Sequence, residues 1–412
     1  MSESAKSRKD VIIVGGGMAG MSLGLALSAG GLRTLVIDSL APETETASDY
    51  DGRASAIAHG SANILKGIGL WSNLESDASP IWDIRVADGH PLRGISPLFL
   101  HYDHGDVGDD PFGYIIENRA IRKALQDAAG ESENLELVRP ATVVSVEREP
   151  FGVSVFTETG QQFDGSVLVA ADGRGSQIRQ DAGIQTTVAM YRQKSIVCTV
   201  RHERDHAGTA VELFMPSGPF AMLPMTENRS NVVWTERIDL ADRYLALDDD
   251  AFLQELGQRF GRWLGEIELA GPRFGFPLGV LHASRYTDQR LVLLGDAAHA
   301  IHPIAGQGLN LGLRDAAALA ELFVDAARLG LDIGAASVLG RYERWRRFDN
   351  MVLTAVTDGL NRLFSNDIPP VRVARDLGLA MVDRLPPIKK FLMRHAMGHV
   401  GELPRLVRGK SL

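Results

Sequence analysis

The sequence predicts an α/β protein: a doubly wound nucleotide-binding unit, interrupted by a segment of antiparallel sheet and followed by a helical C-terminal region. Three observations carry this. The chain opens on strand, glycine turn, helix and strand in DVIIVGGGMAGMSLGLALSAGGLRTLVIDS. Two later apolar strands, in GSVLVAADG and LVLLGDAAH, also run into an aspartate. Between them, runs such as SIVCTVRHE, AVELFMP, FAMLPM and NVVWTE read as strands of a sheet with one solvated face.

A chain of 412 residues is too long for one compact core. Its net charge of -9 argues against a general nucleic-acid binder. One cysteine, Cys198, excludes an internal disulfide and a redox dithiol, and fits buried packing in a strand of a protein from a reducing compartment. No run of about 18 apolar residues marks a membrane span. The leader MSESAKSRKD lacks the apolar stretch of a secretory signal and reads as a disordered tail. No metal site is expected.

In the opening unit, VIIV is a buried strand. Gly15, Gly17 and Gly20 follow it in Gly-x-Gly-x-x-Gly spacing. The first glycine permits the tight turn. The second lets a pyrophosphate approach the backbone, and the third lets the helix pack on the strand. The helix start offers free N–H groups and the positive end of a dipole to phosphate. The next strand, TLVID, ends at Asp38, placed to accept hydrogen bonds from an adenosine ribose, each worth roughly 1.5–3 kcal/mol. An acid there repels a 2′-phosphate, so NADP is disfavoured while FAD and NAD both remain.

The segment DGRASAIAHGS, from Asp51, carries Arg53 in a loop running into a helix. GSVLVAADGRGSQIRQDAG places Asp172 and Gly173 between a strand and a helix start, and LVLLGDAAH repeats that design at Asp296. In open α/β sheets ligands lie beyond the carboxyl ends of the strands. Asp38, Asp172 and Asp296 are therefore expected along one edge. A cofactor long enough to meet several strand ends, with ribityl hydroxyls that need acceptors, is FAD. The turn PIAGQGLNLG, from Pro303, then begins a long helix. Backbone N–H groups there suit negative charge on a reduced flavin's pyrimidine ring, worth roughly 0.3–2 kcal/mol.

At these residues the sequence resembles the single-component FAD aromatic hydroxylases, and within them the ubiquinone-biosynthesis hydroxylase family. VGGGMAG with Asp38, the run Asp51-Gly52-Arg53-Ala54, ENRAIRKAL, GPFAMLPM, AADG and GDAAHAIHPIAGQGLNLGLRD stand in the family's order. YERWRRFDNMVLTAVTDGLNRLFS adds a C-terminal match, so the resemblance covers nearly the whole chain. It implies that Gly15, Gly17, Gly20 and Asp38 bind the adenosine diphosphate part, and that Arg53 and Arg122 contact the cofactor. Asp296 would hold the ribityl chain. Pro303 and the run Gly306, Gln307, Gly308, Leu309 and Asn310 would hold the isoalloxazine. Asp172 would shape the site. Many relatives carry Glu where this chain has Asp38; the shorter acid still reaches a ribose diol. The expected division is an FAD-binding domain of residues 1–181 with 287–345, a substrate domain of residues 182–286, and a helical region of residues 346–412.

No second Gly-x-Gly-x-x-Gly follows a strand, so a dedicated NAD(P)H domain is missing. The resemblance implies transient docking of NAD(P)H to reduce the flavin, and transfer of an oxygen atom from O2 to a polyprenylated phenol. His299 and His302 flank the flavin turn and are the candidates for catalytic assistance, beside a purely structural role. Met222, Leu223, Pro224 and Met225 line the substrate side by the same resemblance, beside a reading as plain core. The basic tail from Pro386, with Lys389, Lys390 and Arg394, suits an anionic membrane surface, a partner enzyme, or nothing but water. The expected location is the cytoplasm, peripheral to the inner membrane. Two other functions share the same flavin site: hydroxylation of small soluble aromatics, and a catalytically idle flavin-binding subunit of a quinone-biosynthesis complex.

Overall fold

The computed structural model describes residues 8–412 apart from 48–50, 91–92, 366–369, 371–374, 376 and 379–380. Residues 1–7 of the expected disordered leader lie outside the described residues. Its Lys9 and Asp10 are already part of the first strand, a correction to that expectation.

The chain begins with β1 (Lys9–Val14), α1 (Met18–Ala29), β2 (Thr34–Ile37) and the short α2 (Pro42–Thr46). Then come β3 (Ala54–Ala58), α3 (His59–Gly67), β4 (Ser79–Ile81), β5 (Asp83–His90), β6 (Gly94–Asp103) and β7 (Gly113–Glu117). Arg53 therefore leads into a strand, β3, and not directly into a helix as expected. α4 (Asn118–Gly130), β8 (Leu135–Val138), β9 (Val143–Glu149), β10 (Gly152–Thr157) and β11 (Gln162–Ala170) follow, then α5 (Gln177–Asp181).

The middle of the chain supplies β12 (Thr186–His202), β13 (Thr209–Met215), β14 (Gly218–Met225) and β15 (Arg229–Arg237). Two helices, α6 (Ile238–Leu245) and α7 (Asp249–Phe260), precede β16 (Ile267–Leu269) and β17 (Phe274–Ala283). The return is made by β18 (Thr287–Asp288), β19 (Leu291–Leu293) and β20 (His299–Ala300), then α8 (Gln307–Arg328), α9 (Ala336–Phe364) and α10 (Pro386–Ala396).

One sheet runs β18-β19-β11-β1-β2-β8, with β10 and β9 added antiparallel beside β11. Its central pairs β19·β11, β11·β1, β1·β2 and β2·β8 are all parallel. Both faces are covered, so the strands are continuously apolar: Val11, Ile12 and Ile13 are completely buried, each burial worth about 1.5–3 kcal/mol. α1 packs on it, and α8 packs on α1.

A second, nine-stranded sheet runs β20-β17-β12-β15-β14-β13-β5-β6, with β16 on β12. It draws on a stretch that the division by sequence gave to the first domain: β5 pairs in parallel with β13, and β6 antiparallel with β5. α6 and α7 cover one face, burying Trp234, Phe252 and Phe260. A third sheet, β3-β7-β4, lies between the two systems. Cys198 is completely buried in β12, where burial pushes its thiol up to about 12. Among the described residues no helix is long and apolar enough to cross a membrane.

Candidate active site

The parallel strands β19, β11, β1 and β2 are neighbours in that order, about 4.8 Å apart. Asp296, Asp172, the Gly15 turn and Asp38 follow their carboxyl ends in turn, so the structure sets the three acids along one edge. The early and late glycine turns meet there. Ala19, at the start of α1, sits against both Gly295 and Gly312: a Cβ built on either would lie 3.5 and 3.3 Å from the Ala19 Cβ. One ligand lying along that edge is within reach of both turns.

The three spaced glycines divide by what surrounds them. Gly15 has φ +108°, and a Cβ on it would lie 2.2 Å from the Ala171 carbonyl oxygen. A Cβ on Gly20 would lie 2.1 Å from the Gly15 carbonyl oxygen. Those two glycines close the turn. Gly17 is the N-cap of α1 with φ −63°, and a Cβ on it would meet nothing within 4 Å. Its open side is the cradle in which a pyrophosphate fits, beside the free N–H groups of the first helical turn.

Asp38 accepts from the Gly16 N–H at 2.5 Å through Oδ2, and from the Leu40 N–H at 2.7 Å through Oδ1. A carboxylate has about four acceptor sites, so both oxygens keep room for a ribose hydroxyl. Asp296 is half-exposed and pairs with Arg174 at 3.2 Å. The Asp172 Oδ1 is buried without a hydrogen-bond partner. Burial raises that carboxyl, against the Ser176 hydroxyl and the amides at the start of α5.

Arg53 and Arg122 converge on Asp51, an acid to which the sequence alone assigns no role. Arg53 bonds Asp51 through Nε and Nη2 at 2.8 and 2.9 Å, and Arg122 bonds the same carboxylate at 2.9 Å. Asn118 adds a further bond at 3.1 Å. Burial alone would raise the Asp51 carboxyl, yet Arg53 and Asn118 hold it well below the usual carboxylate range. Arg53 also stacks over Phe276 of β17 at 4.6 Å, and Asn231 of β15 donates to the Gly52 carbonyl at 3.2 Å. The Asp51–Arg53 segment is thus where the two sheet systems join. Glu45 lies buried beside Arg122 and Arg139, at 4.0 and 3.3 Å.

The late turn is held from two sides. Gly306 has φ +61°, and a Cβ on it would lie 2.9 Å from the Ala56 Cβ. Asn310 accepts from the Ala58 N–H at 2.9 Å and donates to the Ala56 carbonyl at 2.8 Å, fastening the start of α8 to β3. Pro303 caps the short turn Ile304–Gly306. Gln307, Gly308 and Leu309 form the first turn of α8, and a Cβ on Gly308 would meet nothing within 4 Å.

The two histidines differ. His299 bonds Asp315 at 2.5 Å, and Asp315 takes Arg346 at 2.8 Å and Asn350 at 3.2 Å, all buried. Burial would raise the Asp315 carboxyl, but the His299 and Arg346 charges pull it down to about 2. This network ties β20, α8 and α9 together, so His299 is a positioning group. His302 is completely buried. Its Nδ1 accepts from the Ile304 N–H at 3.4 Å, which puts the proton of the neutral ring on Nε2. That Nε2 has no partner. Burial lowers the ring to about 4, with Asp358 opposing. Tyr191 meets His302 edge-on at 5.1 Å and donates to Asp358 at 2.5 Å.

The expected substrate-side residues separate by strand alternation. Leu223 and Met225 point into an apolar cluster with Ala54 and Ala56 of β3 and Met393 of α10. Met222 points the other way, into the core under α6 and α7, so it does not line that side. Pro224 is buried on β14, next to both.

These features fit FAD: an open backbone cradle, acids at successive strand ends, an orphaned carboxylate oxygen, and a helix start braced against β3. A model of the FAD binding domain family matches residues 8–347. The chain is 50% identical over 412 residues to the ubiquinone hydroxylase UbiL of Rhodospirillum rubrum, covering 99% of this chain and 95% of that protein. It is 32% identical to the 3-demethoxyubiquinol 3-hydroxylase of Escherichia coli, over 94% of this chain and 98% of that one. Among solved structures, p-nitrophenol 4-monooxygenase PnpA from Pseudomonas putida shares the fold with a TM-score of 0.78 at 20% identity, over 96% of this chain and 99% of that one.

Proposed function

The chain belongs to the FAD binding domain family, and from that premise we propose that it hydroxylates the aromatic ring of a polyprenylated phenol in ubiquinone biosynthesis, with O2 as oxygen source and NAD(P)H as transient reductant. The observation that carries the reading is the contact of Ala19 with Gly295 and Gly312, which sets both glycine turns on one edge.

Bound FAD supplies the redox chemistry: it takes a hydride and activates O2 for transfer of one oxygen atom to the ring. The chain's own residues bind, orient and shield. Gly17 and the first N–H groups of α1 receive the pyrophosphate, and Asp38 the adenosine ribose. Asp296 receives the ribityl hydroxyls, and Asp172 supports the same stretch. Gly306 to Asn310 offer the positive end of α8 to the flavin ring, and Pro303 fixes the approach to it. Asp51 fixes the directions of Arg53 and Arg122, and both guanidiniums are assigned to the cofactor. His302 is neutral at physiological pH and presents a buried Nε2–H next to the flavin turn. Leu223 and Met225 face an apolar cluster, which suits a hydrocarbon substrate and excludes water.

A substrate of that kind resides in a bilayer, which supports contact with the inner membrane, or with other enzymes of the pathway, from the cytoplasmic side. The test is mass-spectrometric profiling of quinone intermediates in a deletion strain. The reading expects an under-hydroxylated precursor to accumulate and the wild-type gene to clear it. A normal quinone pool in a strain with no other such hydroxylase overturns it.

A further inference from the structure

The outer side of the C-terminal helices is apolar where water would favour polar groups. α9 buries Tyr342, Arg346, Asn350, Leu353 and Thr357 on its inner face. Its opposite face carries Phe348, Met351, Val352, Val356 and Leu363, between 44% and 70% exposed. That row runs roughly 22 Å along the helix. Leu377 and Met381, and on α10 Ile388, Phe391 and Leu392, are exposed as well. Together these make ten of the twenty-one large apolar side chains exposed among the described residues, within a ninth of the chain. Each helix thus carries its own group of exposed apolar side chains, the kind of feature that marks an interaction surface.

Its charge selects the occupant. From Arg341 onward the sequence has fourteen Lys and Arg against seven Asp and Glu, in a chain of net charge -9. Among the described residues from 341 to 394, every exposed charged side chain is basic: Arg341, Arg344, Arg362, Arg384, Lys390 and Arg394. Among the described acids nearby, Glu402, beside Trp345 of α9, is exposed, and the others are half-buried or paired. Lys389 holds Asp106 and Asp383 at 3.3 Å each, Arg346 holds Asp349, and Asp358 is taken by Arg362 and Tyr191. A two-fold pairing of this face with itself would set basic rim against basic rim. An anionic bilayer offers the two things the face matches: negative headgroups for the rim and a hydrocarbon layer for the apolar row.

We propose that the exposed faces of α9 and α10 form a peripheral docking surface for an anionic lipid bilayer. The inference rests on the reading of a lipid-borne substrate and names the surface that meets it. The apolar residues enter the headgroup boundary while Lys390, Arg394, Arg384 and Arg344 pair with phosphates. α10 carries Met393 on its inner face, in the same apolar cluster as Leu223 and Met225, so the docked helix backs directly onto the substrate side.

The experiment is flotation of the FAD-loaded full chain with vesicles of phosphatidylcholine alone, and of phosphatidylcholine and phosphatidylglycerol in equal parts. The surface predicts flotation with the anionic vesicles only, reversed by salt. Lys390→Glu with Arg394→Glu lowers the bound fraction by roughly tenfold or more. Phe391→Ser with Leu392→Ser does likewise, while flavin content and melting temperature stay at the wild-type value in both variants. Wild-type protein that remains in the aqueous fraction with anionic vesicles overturns the proposal. So does a dimer in solution that Phe391→Ser dissociates, which would give the face to a second copy. Turnover of a short-chain, water-soluble phenol is measured beside it without vesicles; that arm tests the hydroxylase reading and is independent of docking.

Discussion

Gly17→Ala separates the glycine that receives the cofactor from those that only close the turn. Gly17 has φ −63° and ψ 175°, which any residue adopts, and an added Cβ meets nothing within 4 Å. Ala is a poorer N-cap than Gly, but it also restricts the unfolded chain, so the net change in stability stays within about 1 kcal/mol. The methyl group enters the space over the first N–H groups of α1. Losing one charge-assisted hydrogen bond to a phosphate costs about 1.5–3 kcal/mol, which weakens FAD binding roughly ten- to 150-fold. Gly15→Ala behaves differently. Its Cβ would lie 2.2 Å from the Ala171 carbonyl oxygen at φ +108°, so the apo-protein itself loses upwards of about 2 kcal/mol. The assay is titration of apo-protein with FAD, read by quenching of flavin fluorescence, beside thermal melting of the apo form. Wild-type FAD affinity in Gly17→Ala, or melting as low as that of Gly15→Ala, would refute the assignment of the cradle.

Three further outcomes follow from the site. Asp296→Ala is expected to lose most bound flavin with little change in the melting of the apo-protein, because Asp296 is half-exposed and its pair with Arg174 is a surface one; full flavin occupancy after purification contradicts its role. His302 stands near 4 in the folded protein against about 6.5 unfolded, so between those values only the unfolded chain binds the proton. The contribution of His302 to stability is therefore full above pH 6.5 and falls by on the order of 3 kcal/mol as the pH drops toward 4. Urea melts across that range should show the slope in wild type and a flatter one in His302→Gln; identical slopes remove the buried neutral imidazole from the account. Arg346→Met leaves the buried Asp315 without its guanidinium and is expected to cost about 3–5 kcal/mol, partly recovered by adding Asp315→Leu; a variant as stable as wild type to urea would show that the pair does not brace the flavin turn.

The unit from β1 to β2 was legible because its signals are local and agree: an apolar strand, glycines at fixed offsets, a helix start, and an acid at the next strand end. The late turn was legible for the same reason, since a strand end, a glycine and a helix start lie within a few residues. Strand membership was not. β5 and β6 alternate like any half-buried strands, and nothing local says that β5 pairs with a strand more than a hundred residues later. β3 is a run of small residues, ASAIA, whose extended form comes from pairing with β7. The resemblance groups Met222 with Leu223 and Met225, whereas alternation along β14 sends them to opposite faces without saying which one meets β3. Asp51, Glu45 and Asp315 escaped notice as site groups because an acid in sequence reads as solvated, whereas each is buried here against arginines from distant segments.

The most direct test of the central claim is the structure of the protein with FAD bound. The expected result is a single extended FAD with its adenosine at Asp38, its pyrophosphate over Gly17, its ribityl chain at Asp296 and its flavin ring at Gly306 to Asn310. Purified protein that takes up no FAD, or a cofactor that touches one glycine turn and leaves the other facing a separate cavity, contradicts it.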